Sequence, residues 1–314
     1  MNQRPHTPVL AGPVLEWLRI RPNGVYVDCT AGGGGHAELI AGRLEGGRLI
    51  ALDRDPLAVR LAGERLARFA GVRVVHANYD RLRQVLRESG VNAADGILLD
   101  AGVSSMQIDD PARGFSLQDD GPLDMRMNPT EGQTALEYLK RVDPDELTRV
   151  LRSYGDVGPA GRVARVLSRQ AREGALRTTR DLVRAVQESL SFVRGIPEEV
   201  RTVFQAIRIA VNDELGSLEE GLSQAIDCLS AGGRLAVISF HSGEDRIVKN
   251  AFNTAARPRR EFHADGRTKT VQEPLIRVLT RKPVLPEQEE IRANPRSHSA
   301  KLRVAERLEA GEAA

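Results

Sequence analysis

Residues Asp28–Ala41 read DCTAGGGGHAELIA: an apolar segment closes on Asp28, four glycines follow from Gly32 to Gly35, and a helix-like run begins at His36. From Gly32 the stretch fits G-x-G-x-x-A, the spacing of a strand-to-helix turn whose backbone N–H groups can approach a ligand. Turns of this kind also occur without any ligand, so the surroundings decide.

Those surroundings alternate. Apolar segments GVYVDCT (24–30), RLIALD (48–53), VRVVHAN (72–78) and DGILLD (95–100) are separated by helix-like runs such as HAELIAGRLEG and PLAVRLAGERLARF. The rhythm predicts a parallel sheet with helices on both faces and a ligand crevice at the carboxyl ends of its strands. After Met106 it stops, and as far as about Val200 only amphipathic helical patches appear, GRVARVLSRQAREG and TTRDLVRAVQESL among them. It resumes with a helical run over Thr202–Leu229, expected to break near Gly216, and a fifth strand, GGRLAVISFHS (232–242). A helix, GEDRIVKNAF, follows. Two last strands, EPLIRVLT and AKLRVAERL, are separated by a stretch long enough to form a surface excursion. The fold class is therefore α/β, a Rossmann-like, doubly wound sheet of seven strands interrupted by an all-helical insert. Its parts are residues 1–106, the first part of the sheet domain; 107–200, the insert; and 201–314, the second part.

Composition narrows the function classes. The two cysteines, Cys29 and Cys228, lie far apart inside apolar runs, which reads as buried thiols in a reducing compartment, not a disulfide or a metal site. The start, MNQRPHTPVL, has no basic segment leading into a long apolar one, and no apolar run approaches the ~20 residues that span a bilayer. The expected location is the cytoplasm. Net charge is only +2, yet residues 108–146 carry 4 basic against 10 acidic side chains, residues 149–194 carry 10 against 4, and residues 246–303 carry 14 against 6. Arginine accounts for all but five of the 45 basic residues, and its planar fork suits phosphate and base stacking, which points to a nucleic-acid partner. Ordinary solvated helix faces would produce the same counts.

The acids around the glycine turn narrow the ligand. Asp53 ends the second strand 19 residues after Gly34, where a carboxylate can take both ribose hydroxyls of an adenosyl group. Asp55, directly before Pro56, reads as a helix cap. These features suit NAD and S-adenosylmethionine equally. Asp28 and Thr30 favour the second, because a carboxylate repels a pyrophosphate but partners an ammonium. Asp100, at the end of the fourth strand, stands where a sulfonium-bearing ligand and an amine substrate would meet.

The segment GILLDAGVSSMQIDDPARGFSLQDDGPLDMRMNP resembles the ribosomal small-subunit RNA cytosine-N(4) methyltransferases, the RsmH or MraW family. HTPVL, DCTAGGGGH, ALDRDPLA, RTVFQAIRIAVNDEL, GGRLAVISFHSGEDRIVK and NPRSHSAKLRVAER share the resemblance, which runs from His6 to about Arg307. It implies a class I, S-adenosylmethionine-dependent enzyme that methylates the exocyclic amine of a decoding-centre cytosine in 16S rRNA, with the small ribosomal subunit as partner. By position in the matching motifs, Gly34, Gly35, His36, Asp53, Tyr79, Asp100 and Gln107 are the implied cofactor contacts, Tyr79 by covering the adenine. The chain departs from the family at YGDVGPAGRVAR, where an acidic pair and an aromatic are usual, and at Gly243, where leucine is usual.

Methyl transfer from a sulfonium needs donor and acceptor held in line in a dry site, and no metal. Asp100 is the candidate acceptor for the amine N–H, with cofactor binding as its alternative role. The D-P-P-aromatic clamp of many amine methyltransferases is absent, since the strand runs into DAGVSS. His241 is the second catalytic candidate; with Asp245 and Arg246 it follows the fifth strand at the same sheet edge, and a helix cap is the alternative. Arg201, Gln205, Arg208 and Asn212 form one polar stripe, either facing RNA or simply solvated. The oligomeric state stays open between monomer and homodimer. An NAD-linked oxidoreductase would need a separate substrate domain with an acid–base residue, and a non-enzymatic ribosome-assembly factor would have damaged cofactor positions.

Overall fold

The computed structural model describes residues 8–190, 198–262 and 268–309. His6 and Thr7 of HTPVL, and residues 191–197 of the expected insert, lie outside them. In chain order the strands are β1 (Val25–Asp28), β2 (Arg48–Asp53), β3 (Val72–His76), β4 (Ala94–Asp100), β5 (Leu229–Ser239), β6 (Arg259–Phe262), β7 (Thr268–Gln272), β8 (Ile276–Val278) and β9 (Lys301–Arg307). The helices are α1 (Ala11–Leu18), α2 (Gly35–Ala41), α3 (Pro56–Leu66), α4 (Leu82–Glu88), α5 (Ser105–Asp109), α6 (Ala135–Arg141), α7 (Pro144–Gly155), α8 (Ala160–Arg172), α9 (Thr179–Ser189), α10 (Glu198–Asn212), α11 (Glu214–Asp227), α12 (Ser242–Ala255) and α13 (Gln288–Ala293).

Two compact units result: Met1–Gly102 with Leu215–Ala314, and Val103–Glu214. The first is built on a seven-stranded sheet of order β3-β2-β1-β4-β5-β9-β8. Strands β1 to β5 pair in parallel, while β9 runs antiparallel to both β5 and β8. Successive strand residues point to opposite faces, and both faces of the central strands β1, β2 and β4 are covered, so these are apolar almost throughout instead of alternating, while the edge strand β3 is partly exposed. Val27, Ile50, Leu52, Ile97, Leu99 and Val237 pack with Leu82, Leu222 and Phe252 from α4, α11 and α12. Tyr26, Leu49, Ala51, Leu98 and Ile238 pack on the opposite face with Val14, Ile40 and Leu66 from α1, α2 and α3. The seven strands match those expected from the sequence. The β6–β7 hairpin lies outside that expectation, because its basic, polar sequence carries no apolar run.

The second unit is helical, with α6 to α10 sharing one apolar cluster that includes Leu139, Leu147, Leu151, Leu167 and Val186. Its limits correct the sequence-based boundaries of 106/107 and 200/201. Helix α10 belongs to this unit because Val200, Val203, Phe204, Ala206 and Ile207 are buried in the same cluster. The helical run breaks at Asp213, which adopts φ +46°, three residues before Gly216. Near residue 158, α8 starts at Ala160 with no side-chain cap, Pro159 standing at the cap position.

Candidate functional site

The chain leaves β1 at Asp28 and enters α2 at Gly35 through a turn closed by hydrogen bonds from Ala31 N–H to the Leu52 carbonyl (2.9 Å) and from Gly34 N–H to the Ala31 carbonyl (2.7 Å). Gly32 and Gly34 take φ +52° and +80°, a left-handed backbone that side chains rarely adopt. Gly35 is required for a different reason: a Cβ there would lie 2.9 Å from Pro8 Cγ. Gly33 borders open space.

Strands β2, β1 and β4 are neighbours, so Asp53, Asp28 and Asp100 end side by side at one sheet edge. Both Asp53 oxygens accept backbone N–H groups, Oδ2 from Gly32 and Oδ1 from Asp55, each at 2.8 Å. Asp53 thereby fixes the glycine turn and the start of α3, where Asp55 caps the helix by accepting from Leu57 N–H. Asp28 is fully buried; its Oδ1 accepts from Thr30 N–H (3.1 Å) and its Oδ2 has no partner among the described residues. Thr30 Oγ1 in turn accepts the Asp100 backbone N–H at 2.7 Å, tying the ends of β1 and β4 together. Asp100 Oδ1 is likewise buried without a partner among the described residues, and its Oδ2 lies 3.7 Å from His36 Nδ1. His36 is buried in the first turn of α2 with Nε2 2.9 Å from the Val9 carbonyl oxygen.

Burial dominates the electrostatics of this edge. It pushes the Asp28 carboxyl up to about 7, assisted by Asp53, against the hydrogen bonds from Thr30 and Ala37. Burial also raises Asp53 to about 6 and holds Asp100 well above the usual carboxylate range, with Asp28 and Glu244 adding repulsion. Three crowded acids with two unpartnered buried oxygens fit a cationic ligand that carries N–H donors, since a buried acceptor left unmade costs about 1–3 kcal/mol. They do not fit a pyrophosphate.

The other expected residues fall as follows. Tyr79 follows β3, beyond β2 in the sheet, and its ring packs against α11, where a Cβ on Gly221 would come within 2.6 Å of Tyr79 Cδ2. Gln107 is buried in the second unit, where it completes a capping box with Ser104 and reaches the Met127 carbonyl. His241 is the N-cap of α12: its Nδ1 accepts the Glu244 N–H at 3.4 Å, and Glu244 Oε2 accepts the N–H groups of Phe240 and His241. Gly243 suits this cap, because a Cβ there would sit 3.1 Å from the His241 ring. Asp245 pairs with Arg303 (2.6 Å) and Lys301 (3.7 Å), not with Arg246.

The polar stripe of α10 is mostly engaged inside its own unit, which corrects both expectations for it. Gln205 donates to the Tyr154 carbonyl, Arg208 pairs with Glu214 through two nitrogens, and buried Asn212 clamps Met125 and Met127. Only Arg201 stays exposed. Glu244 carries no cap signal in the sequence, because the S-x-x-E pattern is hidden where the capping residue is a histidine.

The MraW methylase family model matches residues 3–308. A protein from Symbiobacterium thermophilum named ribosomal RNA small subunit methyltransferase H is 46% identical over 313 residues, covering 98% of each chain. Proteins of the same name from Heliobacterium modesticaldum and Methylococcus capsulatus are 47% and 48% identical, covering 96% and 94% of this chain and 98% of their own. The chain belongs to the MraW methylase family.

Proposed function

We propose that the chain methylates ribosomal RNA, transferring a methyl group from S-adenosylmethionine to the exocyclic N(4) amine of a decoding-centre cytosine in the 16S RNA of the small subunit. One observation carries the chemistry: the paired, unpartnered buried oxygens of Asp28 and Asp100 beside the glycine turn, which suit a cation and an amine. The relatives' name supports the RNA class of substrate.

When bound, S-adenosylmethionine supplies a methyl group already activated on a cationic sulfonium. The chain's own residues then divide the binding and proton handling between them. Gly34, Gly35 and His36 present the start of α2, and Asp53 offers its remaining lone pairs to ribose hydroxyls. Asp28, with Thr30, faces the ammonium; beside a cation its ionised form is restored. Tyr79 covers the adenine, and Gln107 is a further contact assigned by its place in the family motif. Asp100, whose ionised form a cation beside it would restore, accepts an N–H of the cytosine amine, which localises a nitrogen lone pair otherwise delocalised into the ring and provides a late proton acceptor. His241 is the second catalytic candidate, its ring oriented by Glu244 at the end of β5, the neighbour of β4.

The helical unit is proposed to recognise substrate, since an extruded or unpaired cytosine needs contacts to the surrounding backbone. The test is transfer of labelled methyl to 30S subunits that lack their native methylation, followed by nucleoside analysis. Label in N(4)-methylcytidine is the expected result; label in any other nucleoside, or no transfer, overturns the proposal.

A further inference from the structure

Away from the carboxyl edge, the sheet unit contains a second concavity of about 450 Å³ between α12 and the last strands, β8 and β9. Its volume is that of a small-ligand pocket. Four basic side chains line it, Lys249, Arg277, Arg281 and Arg303, beside half-buried apolar surface from Ala256, Pro274, Val278 and Leu308, and none of its lining residues is acidic.

The pairing of these cations decides what the groove can hold. Arg303 is engaged by Asp245 at 2.6 Å, and Arg277 shares Glu306 with Arg234. Burial would raise both acids, but the cations around them hold Asp245 and Glu306 below the ordinary carboxylate range, so both stay ionised and each is shared between two basic side chains, Arg303 and Lys301 on Asp245, Arg277 and Arg234 on Glu306. Lys249 and Arg281 have no carboxylate within ion-pair distance among the described residues, and both are exposed. Two exposed cations, outside any ion pair among the described residues, therefore share the concavity with apolar surface. That pattern matches a phosphodiester chain with a sugar or base laid beside the cations: the phosphates meet the cations, and the apolar surface accepts the unstacked ring. A simple metabolite anion would leave the apolar surface unused.

We propose that the groove between α12 and β8 binds a phosphodiester segment of single-stranded RNA, separate from the base that is modified. The choice of RNA over other phosphodiesters rests on the proposed rRNA substrate.

The experiment uses the full chain and a fluorescein-labelled hexaribonucleotide, with binding followed by anisotropy over a range of salt. The double variant Lys249→Glu, Arg281→Glu changes two exposed side chains. It should weaken hexamer binding at least ~10-fold and, because two phosphates are then no longer neutralised, flatten the log K against log salt slope by about 1.4. Its affinity for S-adenosylmethionine, by calorimetry, should stay within about twofold of wild type, which also shows that the sheet unit is folded. Arg281→Lys should retain hexamer binding within about threefold. Unchanged hexamer affinity in the double variant overturns the proposal. Displacement of the hexamer by millimolar inorganic phosphate as effectively as by unlabelled hexamer also overturns it, in favour of a free-anion site. Methyl transfer is measured separately: wild type that binds the hexamer here yet methylates no rRNA would sink the proposed function and leave the groove assigned.

Discussion

Replacing Asp28 by asparagine should change the pH dependence of stability in a direction set by burial. Asp28 is fully buried and its carboxyl is raised from 3.8 to about 7. The folded state therefore keeps a proton that the unfolded chain has already lost, so wild-type stability is fullest below pH 3.8 and falls as pH rises through 7. Each unit in that window is worth 1.36 kcal/mol, which makes the loss between pH 5 and pH 8 about 3 kcal/mol. Asparagine carries no such proton and removes this loss. Its carbonyl can keep the Thr30 bond, while an amide in place of the unpartnered Oδ2 leaves a donor unmade, at roughly 1–3 kcal/mol at every pH. At pH 5 wild type has already lost about 1.6 kcal/mol, so the variant should lie close to wild type there and be more stable by about 1–3 kcal/mol at pH 8. For a unit of this size 1 kcal/mol moves the Tm by roughly 2–4 °C, so the Tm difference between the two proteins should swing by roughly 6–12 °C across that range. Differential scanning calorimetry at pH 5, 6.5 and 8 without ligand measures it. A Tm difference independent of pH would refute the argument that Asp28 is held protonated by burial.

Further outcomes follow from the same geometry. Gly221→Ala puts a Cβ 2.6 Å from the Tyr79 ring; despite better helix propensity, it should lower stability by about 1–3 kcal/mol in thermal unfolding and weaken S-adenosylmethionine binding several-fold. Asn212→Ala removes the clamp on Met125, which is held at φ +59°, and on Met127; a loss of about 2–4 kcal/mol is expected in urea unfolding, with S-adenosylmethionine affinity as the readout for the separate sheet unit. Asp100→Asn should reduce the single-turnover methylation rate by ~100-fold or more and S-adenosylmethionine affinity by less than tenfold; full turnover would remove Asp100 from the chemistry.

The parts of the fold legible in the sequence are those in which local pattern and tertiary burial agree. Strand β2 is bounded at residues 48–53 by pattern alone, because an uninterrupted apolar run ends in an acid, as a strand covered on both faces should. The same logic places Asp28, Asp53 and Asp100 at one edge. The cap role of Asp55 is readable from Asp-Pro alone. Other residues depend on partners that no local pattern names. Arg208 and Gln205 sit on the polar side of α10, yet Glu214 and the Tyr154 carbonyl take them up within the helical unit. The assignment of α10 fails for the same reason: its apolar stripe is equally suited to a sheet or to other helices, and only Leu147 and its neighbours settle the choice. The Thr30 hydroxyl that joins β1 to β4 is visible only once the two strands are known to be adjacent.

The most direct measurement is calorimetric titration of S-adenosylmethionine at pH 6 in two buffers of different ionisation enthalpy, which counts protons exchanged on binding. At this pH the free protein holds a proton on Asp28, and a cation seated against it favours the ionised form. Binding should release at least about one proton, the release should fall by close to one in Asp28→Asn, and wild-type affinity should rise from pH 5 to pH 8. Binding without proton release in wild type, at an affinity indifferent to pH, would contradict a cation site built on these buried carboxyls.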